Sequence, residues 1–229
     1  MNKTFRHILL AACALIMSAG ASSCLKYEKK ANSSTTGSTT MVCDASFQNI
    51  MQQEIDVFEY QYPDAHILAR FEPQSVAVDS LMSLNTKTIV IARDLTDQEK
   101  RVLRSKKKVV KSSKIAVDAV ALIVNKENPI EMLTLREVGD ILSGSSREWN
   151  DLEPSKLGEI AVIFDDKGSS LVSYMRDSLL NGGELGPNVY AQGSVSKVFE
   201  TVKQNRNAIG VLGVSWITSD MSGADISPD

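Results

Sequence analysis

The stretch that decides the fold is Ile115-Ala-Val-Asp-Ala-Val-Ala-Leu-Ile-Val-Asn-Lys-Glu-Asn-Pro129. From Lys114 to Asn125 it is a nearly continuous apolar run carrying one acid, Asp118. Strands buried on both faces look like this, although most hold about 4–8 residues. A strand passing between two subdomains accounts for the extra length, and Asn128-Pro129 then turns the chain.

Outward from this run, strand and helix patterns alternate. Upstream, Thr40 to Cys43 reads as a strand ended by Asp44-Ala-Ser-Phe47. Ser46 then serves as N-cap of a helix with Ile50, Ile55, Val57 and Phe58 on its apolar face. Tyr62-Pro63-Asp64 stops that helix and Ala65 to Phe71 forms a second strand. Ser75 to Leu84 is a helix with Val76, Leu81 and Leu84 on one face, and Lys87 to Ala92 is a strand. Thr96-Asp-Gln-Glu99 is a capping box opening a basic helix. Downstream, Thr134 opens a helix that carries Ile141 and Leu142 and closes at Ser143-Gly144, with Trp149 in a loop. Ile160 to Phe164 is a strand, Asp165 to Ser170 a loop and Leu171 to Leu180 a helix. A short helix from Ser196 to Val202 precedes a final strand from Ala208 to Val214. There is no internal repeat. The alternation predicts an α/β fold with largely parallel sheets.

Composition narrows the function classes. The chain has 229 residues, 43% of them hydrophobic, which suits one or two globular domains and excludes a disordered chain. Its formal charge is −3, and the first 23 residues hold Lys3 and Arg6 but no acid. Without them 23 basic residues face 28 acidic ones, or −5. A nucleic-acid partner is therefore not expected, because phosphate contacts need a basic face. Lys106-Lys107-Lys108 reads as a solvated helix end. The only histidines are His7 and His66, so no multi-histidine metal site is available and a Ser-His-Asp triad could form only through His66.

Residues 1–24 read as an export signal. Lys3 and Arg6 supply the charged start, and Ile8 to Met17 an apolar core too short to span a membrane comfortably. Ala19-Gly20-Ala21-Ser22-Ser23 then leads to Cys24, which suits a lipoprotein signal with an acylated cysteine. Position −3 is Ala21, a relaxed form of that signal, and the alternative is ordinary cleavage nearby. Residues 25–37 are polar and rich in Ser and Thr, and read as a flexible tether. With Cys13 in the signal and Cys24 lipidated, Cys43 is left as a lone thiol, read as a small core residue.

Two segments place hydroxyls at a strand-to-helix turn, Asp44-Ala-Ser-Phe47 and Gly168-Ser-Ser170. Free backbone N–H groups and the helix dipole attract an anion at such a turn, and Gly168 lets backbone approach. Ser46 and Ser170 could equally be plain N-caps. Asp44, Asp165 and Asp166 could be acid/base pairs, but capping or loop solvation is the more ordinary role.

The ordered set Ile115 to Pro129, Leu133-Thr134, Asp140-Ile-Leu-Ser-Gly144, Trp149 and Asn207-Ala-Ile-Gly-Val-Leu-Gly213 resembles the phosphate-binding component of ABC transporters, from about residue 40 to 217. The resemblance implies a two-lobed periplasmic-binding-protein type II fold, with a cleft that closes on an oxyanion. It divides the chain into lobe 1 over 38–117, lobe 2 over 118–214 and a return segment over 215–229. Ser46 and Phe47 match the first binding loop, Ser75 lies near the second, and Gly168-Ser169-Ser170 matches the loop that opens a lobe-2 helix. Arg93 falls where an anion partner is expected. Two departures stand out. Phe164 replaces an arginine that members often carry, so that either Arg93 supplies the charge or the ligand is not phosphate. The chain also stops at Asp229, short of the family's C-terminal segment, which would leave lobe 1 with an unpaired edge or a bare apolar face.

The expected protein is a monomeric, lipid-anchored receptor of the cell envelope that captures phosphate or a similar oxyanion and presents it to an ABC permease. It needs no metal or cofactor and does no bond chemistry. The alternative is the same fold serving as a sensor or binding protein for another ligand. A serine hydrolase using Ser169 or Ser170 lacks a nearby base.

Overall fold

The computed structural model describes residues 33–218. The expected signal with Cys13, the lipidation site Cys24, most of the tether and most of the return segment lie outside the described residues.

The first sheet is built on β1 (Gly37–Asp44), whose Met41, Val42 and Cys43 are buried. It pairs in parallel with β2 (Ala65–Glu72) over its whole length and with β3 (Ile89–Val90) at Val42 and Cys43, giving the order β2-β1-β3. The crossovers run through α1 (Gln48–Gln61) and α2 (Gln74–Met82), and α3 (Asp97–Ser105) follows β3. The second sheet has the order β4-β7-β5-β6, from β4 (Val120–Val124), β5 (Ala161–Phe164), β6 (Val189–Ala191) and β7 (Ala208–Gly213). Its helices are α4 (Leu135–Ser143), α5 (Ser170–Leu179) and α6 (Val195–Gln204), and a short α7 (Ser215–Thr218) follows β7.

The strand period of two sorts β5 between two apolar layers. Val162 and Phe164 join Ile141, Leu142, Trp149 and Met175 on the α4–α5 side. Ile163 joins Val198 and Val202 on the α6 side. Capping boxes at Thr96–Glu99 and Thr134–Glu137 start α3 and α4 as their sequences require, and α4 stops at Gly144, whose φ of 75° a glycine adopts without strain.

Several expectations are corrected. The run from Lys114 to Asn125 is a strand only over Val120–Val124, and Ile115 and Val117 are exposed outside any strand. The reason lies at Asp118. Its carboxylate accepts the Ser215 hydroxyl at 2.8 Å and the Ser215 N–H at 3.3 Å, tying the chain to α7 before the ladder begins. The expectation of largely parallel sheets holds for four of the five strand pairings among the described residues, the exception being β4, which runs antiparallel to β7. Lys87 to Ala92 contributes only Ile89–Val90, since the Ala92 N–H turns away to the Gln74 side-chain oxygen at 3.0 Å. β6, three residues long, adds a strand to those expected.

Helix faces shift as well. α1 meets its sheet through Met51 and Ile55, in line with Phe47 one turn before, and leaves Val57 63% exposed. α2 buries Gln74, Ala77 and Val78, leaving Val76 and Leu84 outside. Trp149 is fully buried in a turn of 3-10 helix, its indole N–H donating to the Asn207 carbonyl at 3.1 Å.

Phe164→Ala is expected to lower unfolding stability by about 3–5 kcal/mol, the usual range for emptying a buried aromatic site. Val57→Ala should stay within about 0.5 kcal/mol. Urea unfolding of the two variants checks the pair, and equal losses would contradict the assigned faces.

Candidate functional site

Parallel strands deliver their following loops to one edge of a sheet, the edge where α/β proteins receive ligands. Here the loops after β1, β2 and β5 converge. Asp44 ends β1 without solvent exposure, and Ser46 is buried beside it. The Asp44 carboxylate accepts the Ser46 N–H at 3.0 Å through Oδ1 and the Ser170 N–H at 3.3 Å through Oδ2. The Ser170 hydroxyl donates to the Ser46 hydroxyl oxygen at 3.4 Å. A carboxylate from the first sheet's strand end thus sits at the N-terminus of α5, a helix of the second.

Ser46 is therefore not the N-cap of a long helix. Asp44 caps a 3-10 turn over Ala45–Phe47, and Phe47 stands at the N-cap of α1 without a side-chain bond, its ring against the core around Ile55. Ser169 is the N-cap of α5, its hydroxyl accepting the Val172 N–H at 3.4 Å, and Ser170 is the first helical residue. Ser75, in the first turn of α2, donates its N–H to the Gly168 carbonyl at 3.2 Å. A β-carbon at Gly168 would collide with the Ser75 hydroxyl, so the absent side chain is what lets the two loops touch. Trp216 on α7 adds a fourth link, donating from its indole N–H to the Ser46 carbonyl at 2.9 Å.

The site is acidic within. Asp165 is buried, and its Oδ1 has no hydrogen-bond partner. Burial pushes the Asp44 carboxyl above the usual carboxylate range, outweighing the hydrogen bonds from Ser170 and Ser46 that favour its ionised form. Burial likewise raises Asp165, and the Asp44 charge adds to it. The Cys43 thiol, fully buried next to Asp44, is pushed up to about 12, first by burial and then by that charge. It is a core residue.

Arg93 is not joined to this cluster by any hydrogen bond among the described residues. Its guanidinium holds both Glu99 oxygens, at 2.8 and 2.9 Å, and the Asp94 carbonyl at 3.0 Å. The capping box is the cause: Glu99 reaches back to the Thr96 N–H at 2.7 Å, which presents its oxygens to Arg93. Phe164 is fully buried in the α4–α5 layer. His66 lies exposed at the opposite end of the first sheet, in register with Ser38. Asp44 is six residues further along β1, about 20 Å at ~3.3 Å per residue, so that imidazole cannot serve Ser169 or Ser170.

Seven residues carried site expectations. Five of them, Ser46, Ser75, Gly168, Ser169 and Ser170, come together; Phe47, expected to act through its backbone N–H, follows Ser46 in the same 3-10 turn with its ring in the core, and Arg93 binds Glu99. Asp44 as an acceptor between the sheets, and Trp216, were missed. A contact between residues 126 positions apart leaves no local signal, and Asp44 read only as an ordinary cap or loop acid. Chemically, the loops offer two backbone N–H donors and several hydroxyls to an acceptor, with a carboxylate now filling that place. Among the described residues no group of three or more His, Cys, Asp or Glu is placed to hold a metal.

The Arg93 pair holds the Glu99 carboxyl down to about 2, against an ordinary value near 4.5. A depressed folded-state value stabilises above the unfolded value, and that contribution is lost as pH falls through about 2. Carbon NMR should show Glu99 titrating near 2 in the native protein and moving back towards 4.5 in Arg93→Ala. An unchanged midpoint would contradict the pairing.

Known proteins resemble the chain at low identity. The family model described as "PBP superfamily domain" matches residues 29–227. The phosphate-binding protein PstS of Pseudomonas aeruginosa is 24% identical over 208 residues, covering 86% of this chain and 64% of that protein. The chain thus spans somewhat less than two thirds of that relative's length. A Clostridium perfringens substrate-binding protein solved with bound phosphate superposes with a TM-score of 0.67 at 25% identity, over 77% of this chain and 70% of its own. An ABC-type phosphate transport receptor from Vibrio cholerae shares the fold at 19% identity and a TM-score of 0.59, over 79% and 73% of the two chains. No described helix is long and apolar enough to cross a membrane. With two α/β sheets meeting at the strand-end loops and a family match spanning most of its length, the chain belongs to the periplasmic-binding-protein (PBP) superfamily.

Proposed function

We propose that the chain is a monomeric solute-binding protein that captures an inorganic oxyanion, phosphate foremost, for uptake by an ABC permease, held at the cell envelope by a lipid on Cys24. The observation that carries this reading is the convergence of the Ser46, Ser75 and Gly168–Ser170 loops at the N-terminus of α5. Backbone N–H groups at a helix start, with hydroxyls beside them, suit an oxyanion without any metal. Its relatives' phosphate chemistry supports the choice of ligand. Binding between two lobes favours their closed arrangement only by the ligand's extra affinity for it. Catalysis has no part in this reading.

A second reading has its own support. The interior holds two buried carboxyls, Asp44 and Asp165, and no lysine or arginine is bonded to either among the described residues. Phe164 adds no charge. A binding protein or sensor for a ligand that donates hydrogen bonds, rather than a fully ionised anion, would fit those acids better.

Calorimetry with inorganic phosphate separates the two. The oxyanion reading expects saturable binding that weakens about 10- to 100-fold in Ser170→Ala, the scale of losing a hydrogen bond to a charged group. Arg93→Ala should change affinity less, because Glu99 already holds that guanidinium. Absence of heat with phosphate, together with binding of an organic cation or a neutral solute, would establish the second reading instead.

A further inference from the structure

We propose that the Asp44 carboxylate is a built-in competitor for the oxyanion, occupying the Ser46 and Ser170 donors so that a ligand binds only when Asp44 is neutralised or displaced. The inference rests on the oxyanion reading of the cleft and adds the residue that sets its affinity and pH response.

Three observations carry it. The geometry is that of a bound anion: two carboxylate oxygens take one backbone N–H from each sheet's loop, at 3.0 and 3.3 Å, the second at the start of a ten-residue helix. The carboxylate has no solvent exposure, so it cannot share these donors with water. Asp165, also buried, has an unpartnered Oδ1 and feels the Asp44 charge. An incoming anion would therefore meet one or two like charges with water excluded, where repulsion is far stronger than in solvent.

Burial is what favours loss of that charge, against the Ser46 and Ser170 hydrogen bonds, and the titratable groups on the elements beside it are few. They are Cys43 on the same strand, Glu72 at the matching register position of β2, and Asp165 on the loop after β5. No lysine, arginine or histidine hydrogen-bonds to Asp44 among the described residues. Burial already raises the Asp44 carboxyl. Protonation removes the acceptor charge that holds the Ser46 and Ser170 amides, freeing them for a ligand. Apparent affinity scales with the fraction of molecules whose donors are free. If Asp44 holds them nine-tenths of the time, phosphate binds about tenfold more weakly than the loops allow.

The test is phosphate calorimetry at pH 5 and pH 8 on the full chain, on Asp44→Asn and on Asp44→Gly. At pH 8 both variants should bind phosphate at least about tenfold more tightly than the native chain. The gap should narrow at pH 5, whatever phosphate's own ionisation does, because that is common to all three proteins. Equal or weaker binding by the variants would overturn the inference. If none of the three proteins binds phosphate, the phosphate reading fails and amide NMR of the ligand-free native chain decides the inference. The Ser46 and Ser170 amide resonances should then follow one carboxyl titration that disappears in Asp44→Asn. If they do not, the occupancy is refuted, and Asp44→Asn serves both measurements should Asp44→Gly fail to fold.

Discussion

A buried carboxylate must find donors or a proton, and Asp44 finds two donors that belong to different parts of the chain. That requirement organises what surrounds it. It gives β1 its end, bends Ala45–Phe47 into a 3-10 turn, and fixes where α5 begins relative to the first sheet. The Ser75–Gly168 backbone bond and the Trp216 indole bond then fasten the same junction from either side. The neutral links are modest, at about 0.5–1.5 kcal/mol each, and those to the Asp44 carboxylate larger, at about 1.5–3 kcal/mol, so the junction weakens most if that carboxyl loses its charge. The proposed oxyanion receptor needs that property.

Much of the fold could be read from local chemistry. The capping boxes at Thr96 and Thr134, the stop at Gly144 and the strand–helix alternation depend on residues within a few positions of each other, and the structure follows them. What failed depended on partners elsewhere. Lys114 to Asn125 has the composition of one long strand, yet β7 offers pairing only from Ile209 to Gly213. Val57 and Val76 have the right polarity for a core, but their sheet takes the neighbouring face of each helix. Hydrophobic spacing alone does not say which of two adjacent stripes will be covered.

The candidate site divides in the same way. Hydroxyls at strand-to-helix turns were legible, and the loops carrying Ser46, Ser75 and Ser170 do meet. Arg93 read as an anion partner from its place in the family pattern, while its bond to Glu99, six positions away, forms only once the capping box presents that carboxylate. Asp44 is the converse case. It read as a local cap, which it is, while its bond to Ser170 is a product of tertiary structure. Superfamily membership sets the architecture, but the ligand is decided by charges, and the two buried charge-bearing residues at this junction among the described residues, Asp44 and Asp165, are acidic.

The most direct measurement is a crystal structure of the protein soaked in phosphate, compared with crystals kept free of it. The account predicts an anion on the Ser46 and Ser170 N–H groups, with the Asp44 carboxylate withdrawn from both. Phosphate bound elsewhere in the chain, while Asp44 keeps both contacts, would contradict it.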